Sequence, residues 1–323
     1  MFTHNTLLSL LAATTALATP APAREAKPPF FILAGDSTTA PIQPWKGTTA
    51  PGGGGWGDGL LKSLENGAAG VNLGHNGQTT VSYRENGYWK NLLSKIGDNN
   101  DKHDIYVTLA FGHNDQKEKS GISVAQYEAN LEKMAEELKK LKANVIFVTP
   151  LTRRQFNSAG FLTANLDEQG LKTKAAATAT KSAVIDLLGA SKKYVQAIGK
   201  AEAWKFNADV REPKDVATSK DTTHLNHNGT VVFGRIVADL ITVQVPTIAK
   251  YIKKEEKLTA LIAAGKVATA EIPKADKKDK DDKKDDKKDA GKGDKPTTEK
   301  PETKKPTGEK APTKKPAEEK PTN

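Results

Sequence analysis

Between residues 30 and 187, five short apolar runs alternate with stretches of helical pattern. The runs are Phe30-Phe31-Ile32-Leu33-Ala34, Val71-Asn72-Leu73, Ile105 to Phe111, Val145-Ile146-Phe147-Val148 and Ala183 to Leu187. Val124 to Leu141 sets Leu131, Met134, Ala135, Leu138 and Leu141 at helical spacing with charges on the opposite face, and Tyr88 to Ile96 does so more briefly. Val231 to Val243, just after Asn228-Gly229, and Thr247 to Ala264 supply further helices. Strands that read as continuous apolar stretches between helices predict a parallel sheet covered on both faces. The expected fold is α/β: a three-layer α/β/α sandwich with a central, mostly parallel, five-stranded sheet.

The chain around that pattern divides by composition. Its 323 residues carry 49 Lys+Arg and 39 Asp+Glu; from Glu271 onward 17 lysines meet 14 acids, leaving 32 and 25, or +7, for the rest. The C-terminal stretch has almost no large apolar residue to offset its ordering entropy, so 266–323 is expected to be a disordered Lys/Asp/Pro/Thr-rich tail, a spacer or a weak contact to an anionic wall or polysaccharide. Met1 to Ala23 has an apolar stretch (Leu7, Leu8, Leu10, Leu11) that ends in Ala21-Pro22-Ala23, the pattern of a secretory signal peptide and too short to span a membrane. Roughly 240 residues then remain between 24 and 265, enough for one large domain. The expected protein is secreted, has no membrane span and is a monomer. Zero cysteines exclude disulfides, thiolate metal sites and a cysteine nucleophile.

Ligand sites in open α/β sheets form beyond the carboxyl ends of the strands. The first strand is followed by Gly35-Asp36-Ser37-Thr38, the second by Gly74-His75-Asn76-Gly77, the third by Gly112-His113-Asn114-Asp115 and the fourth by Thr149 to Arg154; Asp221-Thr222-Thr223-His224 lies ahead of a late helix. Serine hydrolysis needs a nucleophile, a base, a group that orients the base, and donors aimed at the oxyanion. Ser37, His224 and Asp221 supply the first three, and the backbone N–H groups of Ser37 and Gly77 with the Asn114 amide supply the donors. Glycine at 77 is expected because a side chain would hinder the approach of backbone to ligand.

These residues resemble the SGNH (GDSL-type) hydrolase superfamily, whose four blocks look like Gly35-Asp36-Ser37, Gly77, Gly112-x-Asn114-Asp115 and Asp221-x-x-His224, in that order. Ala34 to Thr38, Gly55-Trp56-Gly57, Ser82-Tyr83-Arg84-x-x-Gly87 and Phe111 to Asp115 look like its rhamnogalacturonan acetylesterase branch. The resemblance covers Phe30 to Val243. It implies a secreted serine esterase that removes acetyl groups from pectic rhamnogalacturonan through an acetyl-enzyme, with no cofactor and no metal. The tail has no counterpart in that pattern.

Other readings compete. His224, His227, His75, His103 and His113 invite a metal site, but no His-Glu-x-x-His is present; Gly52 to Gly55 lacks the Gly-Lys-Ser/Thr of a phosphate cradle, and no Gly-x-Ser-x-Gly occurs. Trp56 is a candidate platform for a sugar ring, and Arg84, Arg153 and Arg154 are candidates to pair with uronate carboxylates, core packing and solvated charge being the plain alternatives. The positive charge suits a polyanion such as pectin; no nucleic-acid module stands out, and none is expected as a partner. Acetylated xylan, a short-chain acyl ester, or an inactive wall-binding role are the alternatives to the pectic substrate.

Overall fold

The computed structural model describes residues 27–44 and 53–269. Strands β1 (Pro29–Gly35), β2 (Ala69–Gly74), β3 (Asp104–Ala110), β4 (Asn144–Val148) and β5 (Ala183–Ile185) form one sheet in the order β2-β1-β3-β4-β5, every pair parallel. Residues along a strand alternate between faces. Phe31 and Leu33 of β1 therefore pack into one core and Ile32 and Ala34 into the other. Helices α1 (Gly57–Leu61), α6 (Leu187–Trp204) and α7 (His227–Gln244) contribute to the first core. Helices α3 (Tyr88–Asn99), α4 (Val124–Lys140) and α5 (Asp167–Ala179) cover the second. Helices α2 (Ser82–Glu85) and α8 (Glu256–Ala263) complete the set.

Three element boundaries differ from the sequence pattern. The fifth run stops at Ile185 because Asp186 caps α6, its carboxylate accepting the Gly189 N–H at 3.1 Å. Helix α7 begins earlier than expected: Asn226 accepts the Gly229 N–H at 3.0 Å, so Asn228-Gly229 lies inside the first turn. Thr247 to Ala264 is divided into a 3-10 turn, Pro246–Tyr251, and α8.

Two longer helices, α5 and α6, went unread. The buried side of α5 is Gln169, Gly170, Thr173, Ala176 and Ala177, which carries no apolar stripe for periodicity to detect. The packed body also runs past the composition break at 265: Ala268 has no exposed surface and its N–H donates to the Tyr194 hydroxyl at 3.0 Å. The leader at 1–23 and the tail beyond 269 lie outside the described residues. Among the described residues no helix is long and apolar enough to cross a membrane.

One helix crossing positions the site. Helices α1 and α7 meet at Gly59 and Gly234, where a Cβ at 234 would lie 2.5 Å from the Gly59 Cα, and one at 59 would lie 2.1 Å from the Thr230 carbonyl oxygen. Only glycine at both positions allows that approach. It seats α7, and the loop that precedes it, against the body of the domain.

Candidate active site

Register brings three strand ends to one edge. Gly35 pairs with Gly74 on one side and Ala110 on the other, so the segments carrying Ser37, Gly77 and Asn114 leave adjacent strands side by side. After β1 the chain makes a tight turn. The Asp36 carboxylate accepts the Thr38 N–H and the Thr38 hydroxyl, both at 2.8 Å, while the Asp36 carbonyl accepts from Thr39 and Ala40. Gly55-Trp56-Gly57 braces this turn from behind, Trp56 and Gly57 donating to the Thr38 and Thr39 carbonyls.

Opposite the turn, His224 Nε2 lies 2.9 Å from Ser37 Oγ, and His224 Nδ1 lies 2.9 Å from Asp221 Oδ2. An ionised carboxylate only accepts, so Nδ1 carries the proton and Nε2 is left to accept from the serine hydroxyl. The Asp221 carboxyl is fixed in turn by the Thr223 and His224 N–H groups. Burial works to raise its pKa, but these bonds and the imidazole outweigh burial and bring it down to about 2.

The base loop is held from below. Arg154, which has no exposed surface, donates from Nη2 to the His224 carbonyl and from Nε to Asn207 Oδ1, both at 2.6 Å. Asn207 donates to Ser219 Oγ, Ser219 donates to Asp209, and Asp209 Oδ2 accepts the Lys220 and Asp221 N–H groups. The Leu225 backbone pairs both ways with Gly54.

The expected oxyanion donors lie on two linked loops. Asn114 Nδ2 donates to the Gln78 carbonyl at 3.0 Å, and Lys117 Nζ donates to Asn114 Oδ1 at 2.6 Å. The two contacts fix which end of the amide is which, and they leave Nδ2 a second hydrogen. Asp115 is structural: its carboxylate accepts the Thr80 N–H and hydroxyl, tying the third loop to the second. Ser82 donates to the Gln78 side chain, and the Tyr83 hydroxyl donates to the Leu73 carbonyl, so the Ser82 to Gly87 segment props the Gly77 loop. Gly77 has φ +77 and no atom within 4 Å of where a Cβ would stand. The left-handed backbone conformation by itself favours glycine here.

The substrate-binding candidates fare differently. Trp56 is fully buried and packs with Leu60 in the first core, so it offers no face to a sugar. Arg84 is committed to Glu137 at 2.8 Å and stacks over Trp89. Arg153 is half-buried; it donates to Asn165 Oδ1, to the His113 carbonyl and to the Gln116 side-chain oxygen at 2.6 and 2.7 Å. Arg154 is the buried clamp just described. The sequence offered no signal for Asp209 or Asn207, whose partners are brought in by the fold.

Beneath Ser37 lies a second titratable pair. Asp36 Oδ2 is 3.7 Å from His113 Nδ1, and both residues are buried. Burial pushes the Asp36 carboxyl up to about 6 against the Thr38 hydrogen bonds; burial and the Arg153 charge hold His113 well below the usual histidine range, so it is neutral. No three His, Asp or Glu residues among those described come together as a metal site. Thr230, in the first turn of α7, is buried and donates to the Gly55 carbonyl.

Residues 33–230 match the GDSL-like Lipase/Acylhydrolase family. The chain is 29% identical over 219 residues to the rhamnogalacturonan acetylesterase RhgT of Bacillus subtilis (strain 168), a match covering 66% of this chain and 89% of that protein. Among solved structures, a Bacillus subtilis protein, YXIM, aligns with a TM-score of 0.53 at 23% identity, over 68% of this chain and 57% of its own length. The chain thus spans less than two thirds of that protein. Axe2, an acetylxylan esterase from Geobacillus stearothermophilus, aligns with a TM-score of 0.45 at 21% identity, over 68% and 94% of the two chains.

Proposed function

Since the chain belongs to the GDSL-like lipase/acylhydrolase family and is a carboxylic ester hydrolase with the SGNH hydrolase fold, we propose that it is a secreted serine esterase that removes acetyl groups from pectic rhamnogalacturonan. The observation that carries this reading is the hydrogen-bonded line from Ser37 Oγ through His224 to Asp221, at 2.9 Å on both sides of the ring.

Along that line, His224 Nε2 takes the hydroxyl proton as Ser37 Oγ attacks the acetyl carbonyl. Asp221 holds the ring in the required tautomer and stabilises the imidazolium. The Ser37 and Gly77 N–H groups and the second Asn114 amide hydrogen surround the carbonyl oxygen as it becomes negative; one such donor is commonly worth about 3 kcal/mol. Collapse of the tetrahedral species breaks the bond to the sugar oxygen, which receives the proton from His224. Water, deprotonated by the same imidazole, then releases acetate from Ser37. The likeness to the Bacillus rhamnogalacturonan acetylesterase supports the pectic substrate, and the leader pattern at 1–23 supports export.

Ser37→Ala tests the assignment. Turnover of 4-nitrophenyl acetate, and acetate release from acetylated rhamnogalacturonan, should fall at least about a thousandfold with the melting temperature retained. Undiminished hydrolysis by the variant removes Ser37 as the nucleophile. Acetate release from acetylated xylan in preference to rhamnogalacturonan moves the substrate to the other glycan.

A further inference from the structure

Two cations flank the Asn114 loop without a counter-ion. Arg153 reaches the loop through the His113 carbonyl and Gln116, Lys117 through Asn114 Oδ1 itself, and neither makes an ion pair among the described residues. Their situations differ. The Arg153 guanidinium is turned inward, its donors given to Gln116, Asn165 and His113, whereas Lys117 is exposed and an ammonium has three donors, of which Asn114 uses one. Some exposed lysines on this protein pair with carboxylates, Lys174 with Asp186 and Lys205 with Glu202 among them; Lys117 instead gives its one bond to Asn114. At Lys117 the open donors stand next to an amide expected to bind the acetyl oxygen.

We propose that Lys117 determines specificity at this site, holding the Asn114 amide in register and receiving a uronate carboxylate of the acetylated glycan. The inference rests on the esterase reading above and names the chemistry it selects: an acetyl ester on, or next to, a sugar that bears a carboxylate. A compact ammonium suits this task, since it accommodates a carboxylate from several directions while one N–H stays on Asn114. A neutral acetylated glycan offers the ammonium only hydroxyls, which water matches.

The test uses the full chain with acetylated rhamnogalacturonan and the same polymer after chemical reduction of its carboxyl groups, read as kcat/KM for acetate release at low salt. Wild type should prefer the native polymer by about tenfold, and sodium chloride should erode the preference. Lys117→Gln can still donate to Asn114 Oδ1 but carries no charge; it should lose far more activity on the native polymer than on the reduced one, and so lose the preference between them. Lys119→Gln, which removes an equal charge two residues away, should keep the preference. Equal rates of wild type on the two polymers, a preference surviving in Lys117→Gln, or an equal loss of it in Lys119→Gln overturns the role of Lys117 and leaves the esterase assignment standing. Failure of wild type to release acetate from either polymer overturns the pectic reading and this inference with it.

Discussion

The Arg154 guanidinium, sealed from solvent, donates to the main-chain carbonyl of His224 at 2.6 Å. A buried cation with no carboxylate in hydrogen-bond contact is costly unless its donors are satisfied. Here Nη2 gives to the His224 carbonyl and Nε to Asn207, which leads through Ser219 and Asp209 to the N–H of Asp221, while Nη1 is buried with no hydrogen-bond partner among the described residues. The guanidinium thus positions both ends of the base loop.

Arg154→Met leaves the Asn207 amide oxygen without its donor and removes one of two from the His224 carbonyl, which keeps the Ala208 N–H at 2.9 Å. The expected cost is about 3 kcal/mol of stability, with a fall in kcat larger than any change in KM. Urea unfolding and steady-state kinetics on 4-nitrophenyl acetate measure the two effects; a variant of native stability and unchanged kcat contradicts the positioning role.

Asp36→Asn should make the protein more stable above pH 6. Burial raises the folded carboxyl to about 6, whereas an unfolded aspartate titrates near 3.9. Between these values the folded chain holds a proton that the unfolded chain has released, so this group lowers stability as pH rises through the window, by on the order of 3 kcal/mol in full. The neighbouring His113, held neutral, has the opposite slope below the ordinary histidine pKa; His113, Asp115, Arg153 and His224 remain in both proteins. The difference in unfolding free energy between variant and wild type should therefore grow from near zero at pH 4 to a plateau above pH 6. A difference that is flat with pH contradicts the burial of an ionising Asp36.

Gly234→Ala should destabilise without altering any catalytic group. The added methyl would stand 2.5 Å from the Gly59 Cα, so α7 must move off α1 at a cost of about 2 kcal/mol or more. Because the His224 loop leads directly into α7, kcat should fall along with the melting temperature. Thermal unfolding with parallel activity assays tests the coupling; a drop in melting temperature with full kcat separates the helix seat from the site.

The parts of this protein that sequence made legible are those whose chemistry is local. The core of β1, β3 and β4 is buried on both faces, so their apolar runs are continuous and stand out. Ser37, Asp221 and His224 stood out as polar residues placed after a strand or before a helix, in an order that few chains share. Helix α5 hid because its buried side is glycine, threonine and alanine. Trp56 misled, since an indole is equally suited to a core and to a sugar, and the flanking Gly55 and Gly57 serve its approach to the Thr38 turn. The Arg154 to Asp209 network was invisible for a different reason: its hydrogen bonds join residues 10 to 70 positions apart, and only the folded chain shows which polar group meets which.

Gly54 pairs with Leu225, one residue beyond the imidazole, and Trp56 two positions later donates to the carbonyl next to the serine. The hydroxyl and its base therefore hang from a common three-residue strip, although they stand 187 positions apart in the chain. A fluctuation that loosens this strip displaces both partners at once, so heat should switch the protein off in a single step at the temperature where the strip lets go, with no warm, half-competent state before it.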